Sequence, residues 1–365
     1  MLKPNPSVSM KMIEISSVNA NDYKGLIEFL ANSENENSEP EFWARRLNFW
    51  WDHNPAFSSG IERGWMLKEG HRIVGFLGII PTEFQLSWER ILVFNSTTWR
   101  VLPEYRNKSL NLLFKQVKLA KNSILFNTTP NKVVASILES LAFKKIPETP
   151  EKRYVLLTNT RRVLKNKISK RPLYSPLIGI LTAVLKCYQF SRLGFRNTDK
   201  ISEVRILNKA DNEFDRLWDE TKNLYGNTNI RTSKIVNWYC FGNLDFEKVL
   251  FGYFEKEKLA AYAIFLAEKD GGLKTLDCAD LWGRKINGKV IRSFLFASKR
   301  FALDNDIDIV SFSIFGDSLN RHFKKIGLFR LSSWEQYFIK ANTDKLEMIN
   351  KLKSYFSKFQ GDFGL

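Results

Sequence analysis

The chain has 365 residues, with 56 Lys and Arg against 39 Asp and Glu, so its formal net charge is +17. An apolar fraction of 44% and 29 Phe are enough for a sizeable core and exclude a disordered chain. At this length the residues are expected to form two domains of ordinary size.

The spacing of cysteines and histidines excludes further classes of protein. Cys187, Cys240 and Cys278 lie far apart without a CxxC pair, so neither a disulfide framework nor a zinc ribbon is expected. The three histidines have no metal-ligand spacing, and no metal cofactor is expected. The N-terminal residues lack the apolar core of a secretory signal, and the longest apolar stretch, Leu177–Leu185, is about half of a membrane span. We therefore expect a cytoplasmic protein without a membrane-spanning helix.

The positive charge is concentrated in one segment. Residues 161–200 contain ten Lys or Arg and one acidic residue, whereas the other 325 residues carry a net charge of only +8. A basic surface spread over the whole chain would indicate a nucleic-acid partner. The uneven distribution favours local sites for small polyanions instead, and a nucleic acid is not expected as a partner.

Two stretches of the chain show the same order of motifs. In the first half, WWDHNPAF (Trp50–Phe57) precedes an apolar hairpin over Gly64–Ile80. In the second half, NWYCFGNLDF (Asn237–Phe246) precedes a similar hairpin over Val249–Leu266. Each hairpin is followed by a strand, a helix, a second strand and a closing helix, as β-branched runs and 3.6-residue apolar spacing indicate. The sequence therefore predicts an internal duplication of one α+β unit with a mixed α/β sheet.

A basic turn connects a strand to a helix at Val101–Phe114, VLPEYRNKSLNLLF. Pro103 ends the strand because it has no backbone N–H for the ladder, and a strongly periodic helix follows. The first amide groups of such a helix form an anion site that the helix dipole reinforces. Arg106 and Lys108 add positive charge beside it, so the segment predicts a pyrophosphate site.

The segment between the two copies begins with a basic part and continues with an apolar part. Arg161–Pro176 is basic and rich in turn-forming residues, and residues 175–195 predict an amphipathic helix with Pro176 near its start. Two interpretations are open. The segment packs across both domains with its basic flank in water, or it makes a peripheral contact with an anionic membrane.

The turn at Val101 resembles the motif V-x-P-x-x-R-G-x-G-x-G/A of the GNAT superfamily of acyl-CoA N-acyltransferases. The matched residues are Val101, Pro103, Tyr105, Arg106, Lys108 and Leu110. Downstream, Leu141–Phe143 and Ile326–Leu328 stand where family members have L-G-F. The resemblance covers residues 12–158 and 202–340.

The sequence also departs from the family pattern. Asn107 and Ser109 occupy two glycine positions of the turn, and Ala142 replaces the glycine of L-G-F. Leu138 stands where many members have the tyrosine that protonates the departing thiolate. The second copy lacks the arginine-glycine order at its corresponding turn, so the resemblance implies acyl-CoA binding in the first domain.

The resemblance implies two tandem GNAT-like domains joined by a basic, partly helical linker, with acyl-CoA as cosubstrate. The expected divisions are an acyl-CoA-binding N-terminal domain (1–158), the linker with its amphipathic helix (159–200), a C-terminal GNAT-like domain (201–345) and a C-terminal helix or tail (346–365). The expected cofactor-binding residues are Val101, Leu102, Arg106, Asn107, Lys108, Ser109, Leu110 and Asn131.

The family mechanism places the reaction where the fourth and fifth strands splay apart at a bulge. Here these strands would be Phe94–Val101 and Ser123–Asn127, with pantetheine between them. A backbone amide near Trp99 would then stabilise the negative charge that develops on the thioester oxygen. An amine is expected to attack the thioester directly, with most of the rate gain from proximity.

A general base is not provided by the fourth strand, because Arg90–Leu102 contains no Asp, Glu or His. His53, in the WWDHNP loop, is the first candidate, since a histidine needs little tuning near neutral pH. Its alternative role is to shape the loop by bonding a backbone carbonyl. Asp280, in LDCADLW, is the second candidate, and its alternative role is to bind the backbone or a basic partner at a strand end.

Aromatic side chains are expected to line the acceptor pocket, because they stack on sugar faces and nucleobases. Taken individually, each of them is more often a core residue than a ligand contact. The tryptophans concerned are Trp43, Trp50, Trp51, Trp65, Trp88, Trp99, Trp238, Trp282 and Trp334.

Within the superfamily, the chain resembles bacterial acyltransferases of surface-polysaccharide (O-antigen, lipopolysaccharide) biosynthesis. It is similar to those that move a 3-hydroxybutanoyl group from CoA to dTDP-3-amino-3,6-dideoxygalactose. Two alternatives are open. One is an aminoacyl transferase similar to the Fem peptidoglycan enzymes, in which the basic linker would contact tRNA. The other is a non-catalytic GNAT-derived binding protein, which the lost glycines and tyrosine would suit.

Overall fold

The computed structural model describes residues 13–33, 38–146, 152–168, 177–193, 203–243, 245–313, 317–333 and 335–365. The first copy contains β1 (Ile13–Ser17), α1 (Tyr23–Ala31), α2 (Pro40–Trp50), β2 (Gly64–Glu69), β3 (Arg72–Leu86), β4 (Glu89–Val101), α3 (Ser109–Val117), β5 (Leu125–Asn127), α4 (Lys132–Ser140) and β6 (Lys144–Lys145). β7 (Lys152–Leu157), α5 (Thr160–Ile168) and α6 (Ile178–Leu193) follow.

The second copy repeats this order and adds elements at its end. It contains β8 (Val204–Leu207), α7 (Asn212–Thr221), β9 (Asn227–Asn229), α8 (Ser233–Phe241), β10 (Lys248–Glu255), β11 (Lys258–Asp270), β12 (Leu273–Gly283), α9 (Gly288–Asp304), β13 (Ile309–Ser313), α10 (Asp317–Ile326) and β14 (Phe329–Ser332). The chain continues with β15 (Phe338–Lys340), α11 (Thr343–Lys351) and β16 (Ser354–Tyr355).

The strands form two mixed sheets with the same internal order. The first sheet runs β1-β2-β3-β4-β5-β15-β6, and the second runs β8-β10-β11-β12-β13-β7-β14. The matching orders confirm the predicted duplication of a mixed α/β unit. β9 pairs with the far end of β3, and β16 pairs with β9, so both extend the first sheet.

The two copies exchange one strand. β7 follows the first copy in sequence but pairs with β13 and β14 of the second sheet. β15 follows the second copy but pairs with β5 and β6 of the first sheet. Residues 152–157, inside the predicted N-terminal division, thus belong to the second sheet, and residues 338–340 belong to the first.

The repeated tryptophan motifs pack against each other between the sheets. The ring of Phe49, at the end of α2, stacks on Trp238 of α8 with 4.9 Å between centroids. The Trp238 indole N–H donates to the Phe49 carbonyl at 3.1 Å. A single apolar core includes buried residues from both copies, so the interface between them is packed like a domain interior.

The start of the linker differs from its sequence prediction. Residues 160–168 form α5, whereas the basic segment was predicted to be rich in turns. The Asn159 side chain accepts a hydrogen bond from the amide of Arg162, and the Val163 side chain is buried. A cap and one apolar anchor are enough to fold this polar segment as a helix. The predicted linker helix is confirmed as α6, while Pro176 lies outside the described residues.

Candidate functional site

The fourth and fifth strands of the first sheet separate after two residue pairs. β4 and β5 pair in parallel at Phe94 with Leu125 and at Asn95 with Phe126. β5 ends at Asn127, whereas β4 continues to Val101. Beyond Asn95, one edge of β4 therefore has no partner in β5, as the sequence analysis expected for this pair.

A β-bulge bends β4 at the opening. On the other side of β4, Phe76 pairs with Arg100 and Gly78 pairs with Thr97, so β4 has one residue more than β3 in this interval. Thr98 has a φ of 47°, in the left-handed region that β-branched residues seldom adopt. A bulge leaves its extra residue outside the ladder, so backbone groups at Thr98 and Trp99 are turned away from β3.

Two adjoining cavities lie at this opening. The larger has a volume of about 640 Å³ and is bordered by β4 from Thr98 onward, by the turn after it, by the end of α1 and by the start of α4. The smaller has a volume of about 180 Å³. Both are lined by Thr98, Trp99, Asn131 and Val134, which makes them two parts of one cleft.

The larger cavity has a cationic wall. Arg100 from β4 and Arg106 from the following turn both line it, together with Ser109. Trp99 is half-buried at the junction of the two cavities, and its buried indole N–H has no acceptor among the described residues. Two guanidinium groups and an unpaired buried donor suit an anionic ligand with further polar groups.

The basic turn folds differently from the expected amide cradle. Residues Pro103–Lys108 form a 3₁₀ helix that continues directly into α3. The amide of Tyr105 donates to the Leu102 carbonyl, and the amide of Ser109 donates to the Arg106 carbonyl. These amides are thus engaged within the turn, and side chains carry a larger share of any phosphate binding than predicted.

A carboxylate from the other end of the chain reaches the smaller cavity. Asp362 lines it opposite Trp99, and its carboxylate accepts hydrogen bonds from Thr129 at 2.8 Å and from Thr128 at 3.3 Å. Burial raises the pKa of Asp362 above the ordinary aspartate value, although hydrogen bonds from Thr129 and Thr97 oppose the rise. A carboxylate with a raised pKa at the edge of a cleft is suited to accept a proton.

Residues 356–365, which we call the tail, are held at both ends of their path. Lys358 is buried between Asp277 and Glu335, and its Nζ lies 2.7 Å from the Glu335 carboxylate. Gln360 donates to the Asn95 side chain at 2.7 Å, at the point where β4 and β5 separate. These contacts fix the backbone just before Asp362.

Gly361 makes this approach sterically feasible. It has a φ of +111°, and a Cβ at this position would lie 1.8 Å from Thr128 Oγ1. Only glycine can place the tail this close to the end of β5. The close contact brings Asp362 beside the threonine hydroxyls.

The structure brings together part of the predicted cofactor-binding set. Val101, Leu102, Arg106, Ser109 and Asn131 line the larger cavity, and Trp99 lines both. The other three predicted residues are exposed on the turn and outside the linings of both cavities; they are Asn107, Lys108 and Leu110.

His53 is not among the residues that line either cavity. Its side chain is exposed in the loop after α2, and its backbone amide donates to the Asn48 carbonyl at 2.8 Å. The loop is shaped by buried Asn54, whose side-chain amide donates to the carbonyls of Trp50 and Pro81.

Asp280 is buried in the second domain and paired with Arg231. The guanidinium contacts both carboxylate oxygens at 2.9 and 3.1 Å, and both side chains are fully buried. Tyr262 adds a hydrogen bond to Asp280 at 2.9 Å. This arrangement matches the alternative role of a strand-end carboxylate bound to a basic partner.

In the second sheet, the place that corresponds to the cleft is occupied by residues of the chain itself. β12 has a bulge beside Ala279, whose carbonyl accepts a hydrogen bond from the amide of Phe359 at 3.1 Å. Tyr355 donates to the Leu281 carbonyl at 2.6 Å, and Arg231 lies 4.2 Å from the Trp282 ring centroid. The tail thus binds along the second bulge, while the first bulge faces the cleft.

The tryptophans are mostly core residues. Trp99 lines the cleft, Trp88 is exposed, and Trp334 lies outside the described residues. The buried tryptophans are Trp43, Trp50, Trp51, Trp65, Trp218, Trp238 and Trp282.

Sequence reasoning did not select Asp362 or Arg100. Arg100 precedes the recognised motif by a single residue, so its proximity was a usable signal. Asp362 has no local signal, because the hydroxyls that hold it lie more than 230 residues away in sequence.

Two features are absent from the part of the chain that the structure describes. It contains no group of three His, Cys, Asp or Glu side chains that could hold a metal ion. In the same residues, no helix combines the length and apolar character that crossing a membrane requires.

Known proteins resemble the chain in fold and not in sequence. No family model and no curated protein matches the sequence. Among solved structures, a GCN5-related N-acetyltransferase from Anabaena variabilis is 12% identical with a TM-score of 0.57, covering 92% of this chain and 74% of its own.

Two further solved structures share this architecture. Saccharomyces cerevisiae N-myristoyltransferase with bound myristoyl-CoA is 13% identical with a TM-score of 0.54, covering 93% of this chain and 80% of its own. A probable N-acyltransferase from Enterococcus faecalis is 10% identical with a TM-score of 0.56, covering 90% of this chain and 72% of its own. The chain therefore has the GNAT fold in two tandem copies.

Proposed function

We propose that this protein is a cytoplasmic CoA-dependent N-acyltransferase of surface-polysaccharide biosynthesis. It transfers an acyl group, such as 3-hydroxybutanoyl or acetyl, from CoA to the amine of a nucleotide-linked amino sugar. The observation that carries the proposal is the cleft at the β4 bulge, with two arginines on one side and the Asp362 carboxylate on the other. The motif resemblance at Val101–Leu110 supports CoA as the acyl carrier, and the resemblance to polysaccharide acyltransferases supports the sugar.

The residues of the larger cavity fit CoA. Arg100 and Arg106 would bind its phosphates, because guanidinium groups pair well with phosphate oxygens. The free edge of β4 would pair with the amide groups of pantetheine as a strand does. The unpaired indole N–H of Trp99 provides a further donor where the two cavities meet.

The thioester supplies an activated acyl group, and the protein positions the amine against it. Holding the two reactants within about 3–3.5 Å supplies most of the rate gain in such a reaction. The backbone freed by the bulge at Thr98 would donate a hydrogen bond to the thioester oxygen as it becomes negative.

Asp362 would act as the general base. A sugar ammonium must lose a proton before attack, and Asp362 would accept it at the carboxylate held by Thr129. The amine nitrogen loses its second proton as the new C–N bond forms and the C–S bond breaks, and that proton neutralises the departing thiolate, so CoA leaves as its thiol. Leu138, at the position of the family's acid, is fully buried, so no proton for the thiolate comes from there.

The occupied second opening supports one reaction centre per chain. The tail and Arg231 already bind where a second pantetheine would lie. The same tail then delivers Asp362 to the first opening, so the second copy serves the first as a scaffold.

The test is release of CoA thiol from a panel of acyl-CoAs, each combined with dTDP-linked and UDP-linked amino sugars. We expect release only when an acyl-CoA and a sugar amine are both present. Asp362→Asn should lower kcat by about 10²–10⁴-fold with little change in KM for acyl-CoA, because it removes the proton acceptor and not a phosphate contact. Asp219→Asn is the matched control, since Asp219 is an exposed aspartate on α7 paired only with Lys222 among the described residues.

Three outcomes would contradict the proposal. Acyl transfer from charged tRNA with no acyl-CoA activity would indicate the Fem-like alternative. No thiol release from any pair, with no rise in Tm on adding acyl-CoA, would indicate a non-catalytic binding protein. An unchanged kcat in Asp362→Asn would exclude Asp362 as the base.

A further inference from the structure

The linker helix α6 exposes an unusual amount of apolar surface. Soluble monomers seldom expose large contiguous apolar patches, and the large patches that they do expose are often functional. Six large apolar side chains at this helix are between 38% and 66% exposed; they are Leu177, Ile180, Leu181, Val184, Tyr188 and Phe190.

All of these side chains except Phe190 lie on one face. Leu177, Ile180, Leu181, Val184 and Tyr188 follow the spacing that aligns residues along a helix. Ala183, Cys187 and Ser191 are the uncharged, exposed residues between and beside them. The face is therefore continuous over the length of α6, about 24 Å for its 16 residues.

The opposite face holds the helix on the second domain. Ile178 and Gln189 are buried on this face, and Thr182 and Leu185 beside them are half-buried. A Cβ on Gly327 would lie 2.5 Å from Arg192 Cβ, so the end of α6 packs closely on the turn before β14. One face is thus fixed to the protein while the apolar face points outward.

Basic residues lie on α6 and on α5, the helix that packs against it. Lys186 and Arg192 are on α6, and Arg161, Lys165 and Lys167 are on α5. Across residues 161–200 ten Lys or Arg accompany one acidic residue. The combination of an apolar face with nearby basic residues is typical of helices that lie in the interface of an anionic membrane.

We propose that α6 is a docking surface for an anionic phospholipid bilayer, on which it lies in the plane of the interface. Two other occupants fit less well. A nucleic acid would use the basic residues and leave the apolar face uncovered. A second copy of the chain would bring two strongly basic segments together, which electrostatic repulsion opposes.

The binding test uses the whole protein with sedimented vesicles. We expect binding to vesicles of phosphatidylcholine with phosphatidylglycerol, little binding to phosphatidylcholine alone, and weaker binding at high salt. Ile180→Asn with Val184→Asn should weaken binding at least about tenfold while leaving the charge unchanged. Ile206→Asn with Leu303→Asn is the matched control, because these side chains are similarly exposed on β8 and α9.

A label on Cys187 reports the depth of the helix. Cys187 is exposed at the apolar face, whereas Cys240 and Cys278 are buried, so a thiol-reactive dye selects it. An environment-sensitive dye should shift to shorter wavelength on anionic vesicles and become protected from an aqueous quencher.

Four results would overturn the proposal. The first is equal vesicle binding by the α6 and control variants at unchanged Tm, and the second is the absence of a dye shift on bound protein. The third is vesicle binding that does not depend on the charge of the lipid. The fourth is a dimer in solution that the α6 variant dissociates. Salt-sensitive tRNA binding that persists in the α6 variant, with no vesicle binding, would show that the basic flank serves a nucleic acid instead.

Discussion

Replacing Asp280 by Asn should destabilise the protein without acting on the reaction. The substitution keeps the shape of the side chain and leaves Arg231 fully buried with its charge unpaired. Removing one partner of a buried ion pair typically costs about 3–5 kcal/mol. The hydrogen bond from Tyr262 and both contacts from Arg231 are weakened together.

This cost can be converted into a melting temperature. At about 2.1 cal/mol/K per residue, unfolding 365 residues has an entropy of about 0.8 kcal/mol/K. A loss of about 4 kcal/mol therefore lowers the Tm by about 5 °C, which calorimetry resolves easily. Asp245→Asn is the matched control, because its partner Arg45 is exposed and the same chemical change should leave the Tm nearly unchanged.

A double variant tests the cause. Arg231→Met with Asp280→Leu removes both charges and should recover much of the lost stability, since apolar replacements of buried ion pairs are often tolerated. If Asp280→Asn instead retains its Tm and loses thiol release, the carboxylate takes part in the reaction and the structural role argued for it is wrong.

Three other changes give separable results. Ala142 has a φ of 57°, a strained value for alanine, and corresponds to Gly327 of the second copy. Ala142→Gly should therefore raise the free energy of unfolding by about 0.5–1 kcal/mol in urea, and a lower free energy would refute the presence of strain at Ala142. Thr129→Val removes a hydrogen bond that lowers the pKa of Asp362, so the acid limb of kcat should move to higher pH than in the unmodified protein; an unmoved limb would mean that another group titrates. Residues 1–158 expressed alone lack β15 and contain β7 without its partner strands, so they should not unfold cooperatively in urea. A cooperative transition would show that the first copy folds without the strand exchange.

The side of the cleft formed by the strand-turn-helix unit could be predicted because its signals are local. Pro103, Arg106 and the periodic helix after them lie within one strand-turn-helix unit, and sequence spacing determines their proximity. The duplication was visible for the same reason, as each hairpin and its following helix are contiguous in sequence. The 3₁₀ geometry of the turn was not visible, since Asn107 and Ser109 fit several turn conformations.

The side of the cleft that holds Asp362 could not be predicted because it depends on distant contacts. Asp362 meets Thr128 and Thr129 only after the tail has crossed from one sheet to the other. Asp280 illustrates the converse case. Its strand is readable from sequence, but only the fold shows that its carboxylate faces Arg231 and not the cleft.

The strand exchange has a consequence for how the protein is made. When the ribosome has synthesised the first copy, its sheet still lacks β15, and β7 has no β13 to pair with. Pairings between residues so far apart close large loops and form slowly. The second sheet cannot be completed until residue 332 has emerged and the first until residue 355 has emerged, and Asp362 reaches the cleft later still. The chain is therefore expected to gain activity only once residue 362 has emerged, and to rely on protection of its open sheet edges until then.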